Sequence, residues 1–152
     1  MSLDELQRQR REKLERLRAL GVAPYAYRYD PTHRVESILA AAATVTEEPG
    51  ERVRIAGRIM ALRGHGKAGF AHLLDGSGRI QLYFRADQLG ERFALYELLD
   101  VGDWIGVEGP LFRTRTGEVT IRVDQLTLLA KSMRPLPEKF HGLTDPETRF
   151  RQ

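Results

Sequence analysis

ERVRIAGRIMALRGHGKAGFAHLLDGSGRIQLYFR, residues 51–85, decides how this chain folds. In its first part Val53, Ile55, Gly57 and Ile59 alternate with Arg52, Arg54, Ala56 and Arg58. A period of two puts one set on each side of a strand, so this segment reads as half-buried β-structure. GFAHLLD (69–75) and RIQLYF (79–84) follow as two more strands, joined by the short hairpin connection Gly76-Ser77-Gly78.

Outward from there, ERFALYELLD (91–100) has the helical spread of Phe93, Leu95, Tyr96 and Leu99. DWIGVEGPLF (103–112) and EVTIRVDQLTLL (118–129) then read as strands on either side of the turn Arg115-Thr116-Gly117. Three strands, a helix and two strands predict an all-β fold with flanking helices, a five-stranded OB barrel whose helix lies between strands three and four. Before it, residues 2–20 read as a helix with a capping box at Ser2 and Glu5 and a C-cap at Gly21. Leu3, Leu6, Leu14, Leu17 and Leu20 approximate a docking stripe, and Arg8, Arg11, Glu12 and Arg18 fill the rest, as a solvated face or as a rail for RNA backbone. Residues 22–49 read as a connector holding one small helix, 35–43. Pro135, Pro137 and Pro146 mark the end of the chain as a linker. The expected division is 1–50 helix and connector, 51–130 barrel, and 131–152 linker.

Composition narrows the chemistry. Cysteine is absent from the 152 residues, which removes disulfides and thiolate chemistry. His33, His65, His72 and His141 are scattered without metal-ligand spacing, and no nucleophile-elbow motif occurs. No apolar run reaches the ~18 residues of a membrane span, and the charged N-terminus has no signal-peptide core. A cytoplasmic setting without membrane contact is the expectation. The formal charge is +3, but only Lys13, Lys67, Lys131 and Lys139 among the 24 basic residues are lysines. Arginine forks suit phosphates and bases; the excess equally fits an arginine-rich proteome. GHGKAG (64–69) matches G-x-G-x-x-G, yet it opens a strand rather than the helix a dinucleotide site needs. It reads as a flexible loop that brings Lys67 near RNA phosphate.

Strand parity selects a face. If Ile80, Leu82 and Phe84 point inward, Arg79, Gln81, Tyr83 and Arg85 point out, with Phe70 and His72 beside them and Arg58 adding a third column. Aromatic rings stack on unpaired bases, and a carboxamide offers both a donor and an acceptor to a base edge. OB barrels bind oligonucleotides on this face. Ordinary strand exteriors with one misplaced core phenylalanine fit the same pattern.

RREKLERLRALGVAPY (10–25), GRIMALRGHGKAGFAHLLDGSGRIQLYF (57–84), VGDWIGVEGPLFRTRTGEVTIRV (101–123) and LLAKSMRPLPEKFHGLTDPETRFRQ (128–152) resemble bacterial-type class II lysyl-tRNA synthetases. RPLPEKFHGL is the most specific segment. The resemblance implies an N-terminal anticodon-binding domain that grips the U-rich anticodon of lysine tRNA. It carries the stacking ring over to Phe70, the base-reading amide to Gln81, and further contacts to Arg58 and Glu118. Read from its position alone, Glu118 is a turn-flanking surface carboxylate. His72 and Lys67 join the expected RNA-binding set by facing direction and loop position. The class II motifs for ATP and lysine are absent, so the chain is expected not to aminoacylate. ATP and magnesium are expected only in a catalytic domain beyond it. The family implies a homodimeric parent, and the fragment is expected as a monomer or weak dimer. A stand-alone OB module that docks proteins or binds single-stranded RNA generally is the alternative.

Overall fold

The computed structural model describes residues 2–21 and 28–133. RPLPEKFHGL and most of the expected linker lie outside them. The elements are α1 (Leu3–Ala19), α2 (Val35–Ala40), β1 (Arg52–His65), β2 (Ala68–Leu74), β3 (Arg79–Arg85), α3 (Ala86–Leu89), α4 (Phe93–Tyr96), β4 (Trp104–Arg113), β5 (Val119–Val123) and β6 (Gln125–Ala130), with 3-10 turns at Ala42–Thr44 and Gly90–Arg92. Strand order is β1-β2-β3-β5-β4-β6, and β1 also pairs with β4. That second pairing closes five strands into a barrel of OB topology, as strand alternation predicts. Closure leaves those five without free edges.

Inward-facing positions of the strands supply the core. Val53, Ile55, Ile59, Leu73, Ile80, Leu82, Phe84, Ile105, Val107, Ile121 and Val123 are essentially inaccessible and form the barrel core. β1 is long enough to serve two partners: Arg52–Arg58 pair with Pro110–Trp104, and Arg58–His65 with Leu74–Ala68. A bulge between Ile59 and Ala61 marks the handover. Such an extra residue bends the strand, as a small barrel requires. Gly109 lets strands cross closely, since a Cβ there would overlap the Arg122 carbonyl oxygen.

Two expectations need correction, the single last strand and the loose Gly64–Gly69 loop. The last predicted strand is two strands, β5 and β6, divided at Asp124; both run antiparallel to β4, and only β5 also pairs with β3. Asp124 spends its carboxylate on Arg52, at 2.8 and 2.6 Å, and its amide on the Glu108 carbonyl. The predicted helix between strands three and four is present, as two single turns on either side of a 3-10 turn that begins at Gly90, at φ +58°. The Gly64–Gly69 segment is a tight hairpin: His65 pairs with Ala68, leaving Gly66 and Lys67 as a two-residue turn. A positive φ at Gly66 alone suits a type II′ turn, and the Lys67 carbonyl is bonded by the Ala86 amide. Gly64 and Gly69 are small because the Tyr96 hydroxyl occupies the space their Cβ atoms would need.

Helix α1 begins as its capping residues predict, with Ser2 Oγ accepting from the Glu5 amide at 3.1 Å. Gly21, at φ +80°, follows its last turn. The leucine stripe holds only in part. Leu17 is buried and Leu14 packs against the core, whereas Leu3 and Leu20 are about half exposed, at 43% and 52%. Arg10 and Lys13 complete the dock instead: Arg10 donates to the Ser132 carbonyl and hydroxyl, and Lys13 to Asp100 at 2.7 Å. Beneath them Lys131 Nζ donates to the Leu98 carbonyl, Asp100 and Asp103. Burial holds the Asp103 carboxyl above its ordinary pKa. Asp100 is also desolvated, but Lys13 and Lys131 outweigh that and hold it below.

Helix α2 has no side-chain cap of its own. Asp75, in the β2–β3 hairpin, supplies one from across the fold, accepting from the Val35 amide at 2.8 Å. Its other oxygen accepts from the Ser77 amide and hydroxyl and from the Gly78 amide. Ser77 Oγ in turn accepts from the Glu36 amide.

Two outcomes follow. Lys131→Met strands the buried Asp103 charge, and removing one member of a buried pair costs ~3–5 kcal/mol; urea unfolding should show a lower midpoint, and an unchanged one would contradict the cluster. Burial raises the Asp75 pKa, but its four donors more than offset this and leave it depressed. A depressed carboxylate contributes stability above the unfolded pKa of ~3.9, lost as pH falls through the lower folded value. Asp75→Asn should therefore be less stable than wild type at pH 7, with the difference closing in acid; parallel pH–stability curves would count against it.

Candidate nucleic-acid interface

Closure sends every second side chain of β1, β2 and β3 outward, and the strand register sorts them into three rows. Arg63, Phe70, Tyr83 and Arg122 form one, from β1 through β2 and β3 to β5. Ala61, His72, Gln81, Thr120 and Phe112 form the second, ending on β4. Arg58, Leu74 and Arg79 form the third.

Phe70 is not a misplaced core residue. Its ring is half-buried on the outside, 4.8 Å from that of Tyr83 and tilted by 31°. Tyr83 meets the edge of Phe112 at 6.2 Å. Such pairs contribute ~0.5–1.5 kcal/mol beyond burial, so the three rings brace one another. Gln81 faces outward in parity but is only 9% exposed, less open than alternation suggests. Its Nε2 donates to Thr120 Oγ1 at 3.2 Å, and that hydroxyl donates to the Glu118 carbonyl at 3.1 Å. The chain of bonds ties the carboxamide to the hairpin that carries Glu118, which is exposed. It leaves Gln81 Oε1 and one amide hydrogen for a ligand.

His72 sits between these groups. Burial lowers its pKa first, Arg79 and Arg63 lower it further, and Glu118 works in the opposite direction. The imidazole is thus neutral at pH 7, a donor on one nitrogen and an acceptor on the other. Arg58 is half-buried and donates through Nε to the Gly102 carbonyl at 3.3 Å. Lys67 is exposed at the hairpin tip.

The arginines separate into two populations. Arg52 and Arg54 lie on the half of β1 paired with β4, and both bind Glu108; Arg52 also binds Asp124. On the aromatic half, Arg58, Arg63 and Arg79 form no ion pair among the described residues, and Arg63 and Arg79 are exposed. Sequence inspection missed Arg63, because strand parity in the 51–63 run was counted without the bulge at Met60. It also missed Phe112 and Thr120, which reach this face only through the return of β4 and β5.

No group of three or more metal-ligating side chains occurs among the described residues, and no described helix is long and apolar enough to cross a membrane. The profile of OB-fold nucleic-acid-binding domains, the tRNA anticodon family, matches residues 53–129. The chain belongs to this family. Among curated relatives it is similar to lysine–tRNA ligases: 50% identical over 151 residues to that of Carboxydothermus hydrogenoformans, 48% over 153 to that of Syntrophomonas wolfei and 44% over 155 to that of Lactococcus lactis. Each match covers 99% or more of this chain but only 30 or 31% of the relative. The matched family domain is the barrel itself, so the open aromatic–arginine face lies on the part of the chain that the family defines.

The electrostatic neighbourhood of His72 can be tested directly. Glu118→Gln removes the group that raises its pKa, so NMR titration should find His72 titrating lower in the variant than in wild type. Identical titration midpoints would mean the hairpin does not reach the ring.

Proposed function

We propose that this OB-fold domain binds the anticodon loop of lysine tRNA on behalf of a lysine–tRNA ligase. The observation that carries the reading is the outer face itself. A braced ring at Phe70 and a tethered carboxamide at Gln81 lie among arginines that no carboxylate neutralises. Stacking on an unpaired base is worth ~1–3 kcal/mol, and every base has a face to stack. Specificity requires edge contacts, for which Gln81 has an acceptor and a spare donor, enough for the N3–H and one carbonyl of uracil. Glu118 and the neutral His72 border the same space. Arg58, Arg63 and Lys67 contribute the phosphate attraction that holds a loop in place without reading it.

The name shared by the relatives supports a parent enzyme that joins lysine to its tRNA. In this reading the ATP, lysine and magnesium chemistry belongs to the remaining two-thirds of such a protein, and the domain supplies recognition. A cytoplasmic setting and a homodimeric parent accompany it.

Phe70→Ala should weaken binding of a lysine-type anticodon stem-loop by ~1–3 kcal/mol, measured by fluorescence anisotropy under conditions where the variant, which also loses the ring contact with Tyr83, is still fully folded. Equal affinity of wild type and variant would defeat the stacking assignment.

A further inference from the structure

The third outward row does not stop at Arg58. On its other side β1 pairs with β4, and the partner of Arg58 there is Trp104. The row therefore runs Trp104, Arg58, Leu74, Arg79 across four strands. Trp104 is 46% exposed and Leu74 38% exposed, two of the few large apolar side chains in the described barrel left open to solvent.

What lies beyond this row shows why it is a boundary. Two residues further along β4, Gly106 is covered by the ring of Tyr29, which fills the place a Cβ would take. The Tyr29 hydroxyl donates to the Val107 carbonyl. Thr32 and Arg54 exchange further bonds, with the Thr32 amide donating to the Arg54 carbonyl at 2.8 Å. The connector thus straps the β1–β4 exterior up to Gly106 and leaves Trp104 uncovered. From Trp104 the open surface continues through Leu74 to Phe70.

We propose that Trp104 is a second stacking station, which takes the base of a nucleotide flanking the anticodon triplet. The inference rests on the anticodon reading and extends it. Its partner is a polyanion because the apolar groups alternate with Arg58 and Arg79, neither ion-paired among the described residues. An acid-paired exterior, like that of Arg52 and Arg54, would suit a protein surface better. Reach is compatible: Phe70 and Leu74 are four residues apart, roughly 13 Å along the strand, and Trp104 lies two strands over at ~5 Å each. OB folds engage about 4–16 nucleotides, more than one triplet. The indole offers the largest stacking surface of any side chain, and Arg58 beside it can hold a neighbouring phosphate.

Trp104 is the sole tryptophan of the chain, so its fluorescence reports on itself. The test titrates wild type, Trp104→Ala, Trp104→Phe and Phe70→Ala with a lysine-type anticodon stem-loop. It repeats the titrations with loops in which the nucleotide on either side of the triplet is made abasic, one at a time. Quenching on binding is expected in wild type, with roughly five- to hundredfold weaker binding for Trp104→Ala and most affinity kept by Trp104→Phe. One abasic loop should bind wild type more weakly yet cost Trp104→Ala nothing further. If Trp104→Ala binds as wild type does while Phe70→Ala is weakened, the station is refuted, the anticodon reading survives, and Trp104 is left to a protein contact. If neither substitution matters, both readings fall.

Discussion

Barrel closure through β1 is the constraint on which the rest depends. One strand of fourteen residues pairs with β4 along its first half and with β2 along its second. Because its side chains alternate, filling the barrel with Val53, Ile55 and Ile59 forces Arg52, Arg54 and Arg58 out. A closed sheet gives those arginines no other side to occupy. The bulge at the handover then shifts the outward set by one, which brings Arg63 opposite Phe70.

What those outward charges do depends on what covers them. On the β4 side, Glu108 and Asp124 answer Arg52 and Arg54, and Arg52 lowers the Glu108 pKa from its ordinary value, with Arg54 adding to the effect. The connector lies over the same region through Thr32 and Tyr29. On the β2–β3 side Asp87 answers Arg85 at the end of β3, but among the described residues no acid pairs with Arg58, Arg63 or Arg79. A protein gains nothing in stability from several unanswered arginines around exposed rings. Their presence on one face makes sense as affinity for an anionic, base-bearing ligand. The second cluster, around Lys131, has a different role: it anchors α1 and the start of the chain beyond the barrel to the loop before β4.

The barrel is legible because its strands alternate cleanly, and the same parity puts Phe70, Gln81 and His72 on one face from the sequence alone. Family likeness, not alternation, singled out Glu118, whose place beside His72 emerges only when the β4–β5 hairpin is brought against β2 and β3. Other features were illegible for physical reasons. Nothing in VTIRVDQLTLL reveals that the segment divides at Asp124, keeping β4 as its partner and giving up β3, since both halves alternate. The burial of Arg10 contradicts its charge and depends on Ser132, more than a hundred residues away. The hairpin at Gly66 looked loose because glycine signals freedom, whereas here Gly64 and Gly69 make room for Tyr96. DWIGVEGPLF reads as a strand without singling out Trp104, and its pairing with the outward Arg58 is what shows that it faces solvent.

The central claim is that this face reads bases and does not merely attract phosphate. Binding of a lysine-type stem-loop and of the same stem-loop with a swapped anticodon, each at two salt concentrations, separates the two effects. Phosphate contacts weaken both ligands together as salt rises, whereas base contacts set a ratio between them that salt leaves nearly unchanged. The account predicts a preference for the lysine-type loop that persists at the higher salt. Equal affinities for the two loops at both concentrations would contradict it.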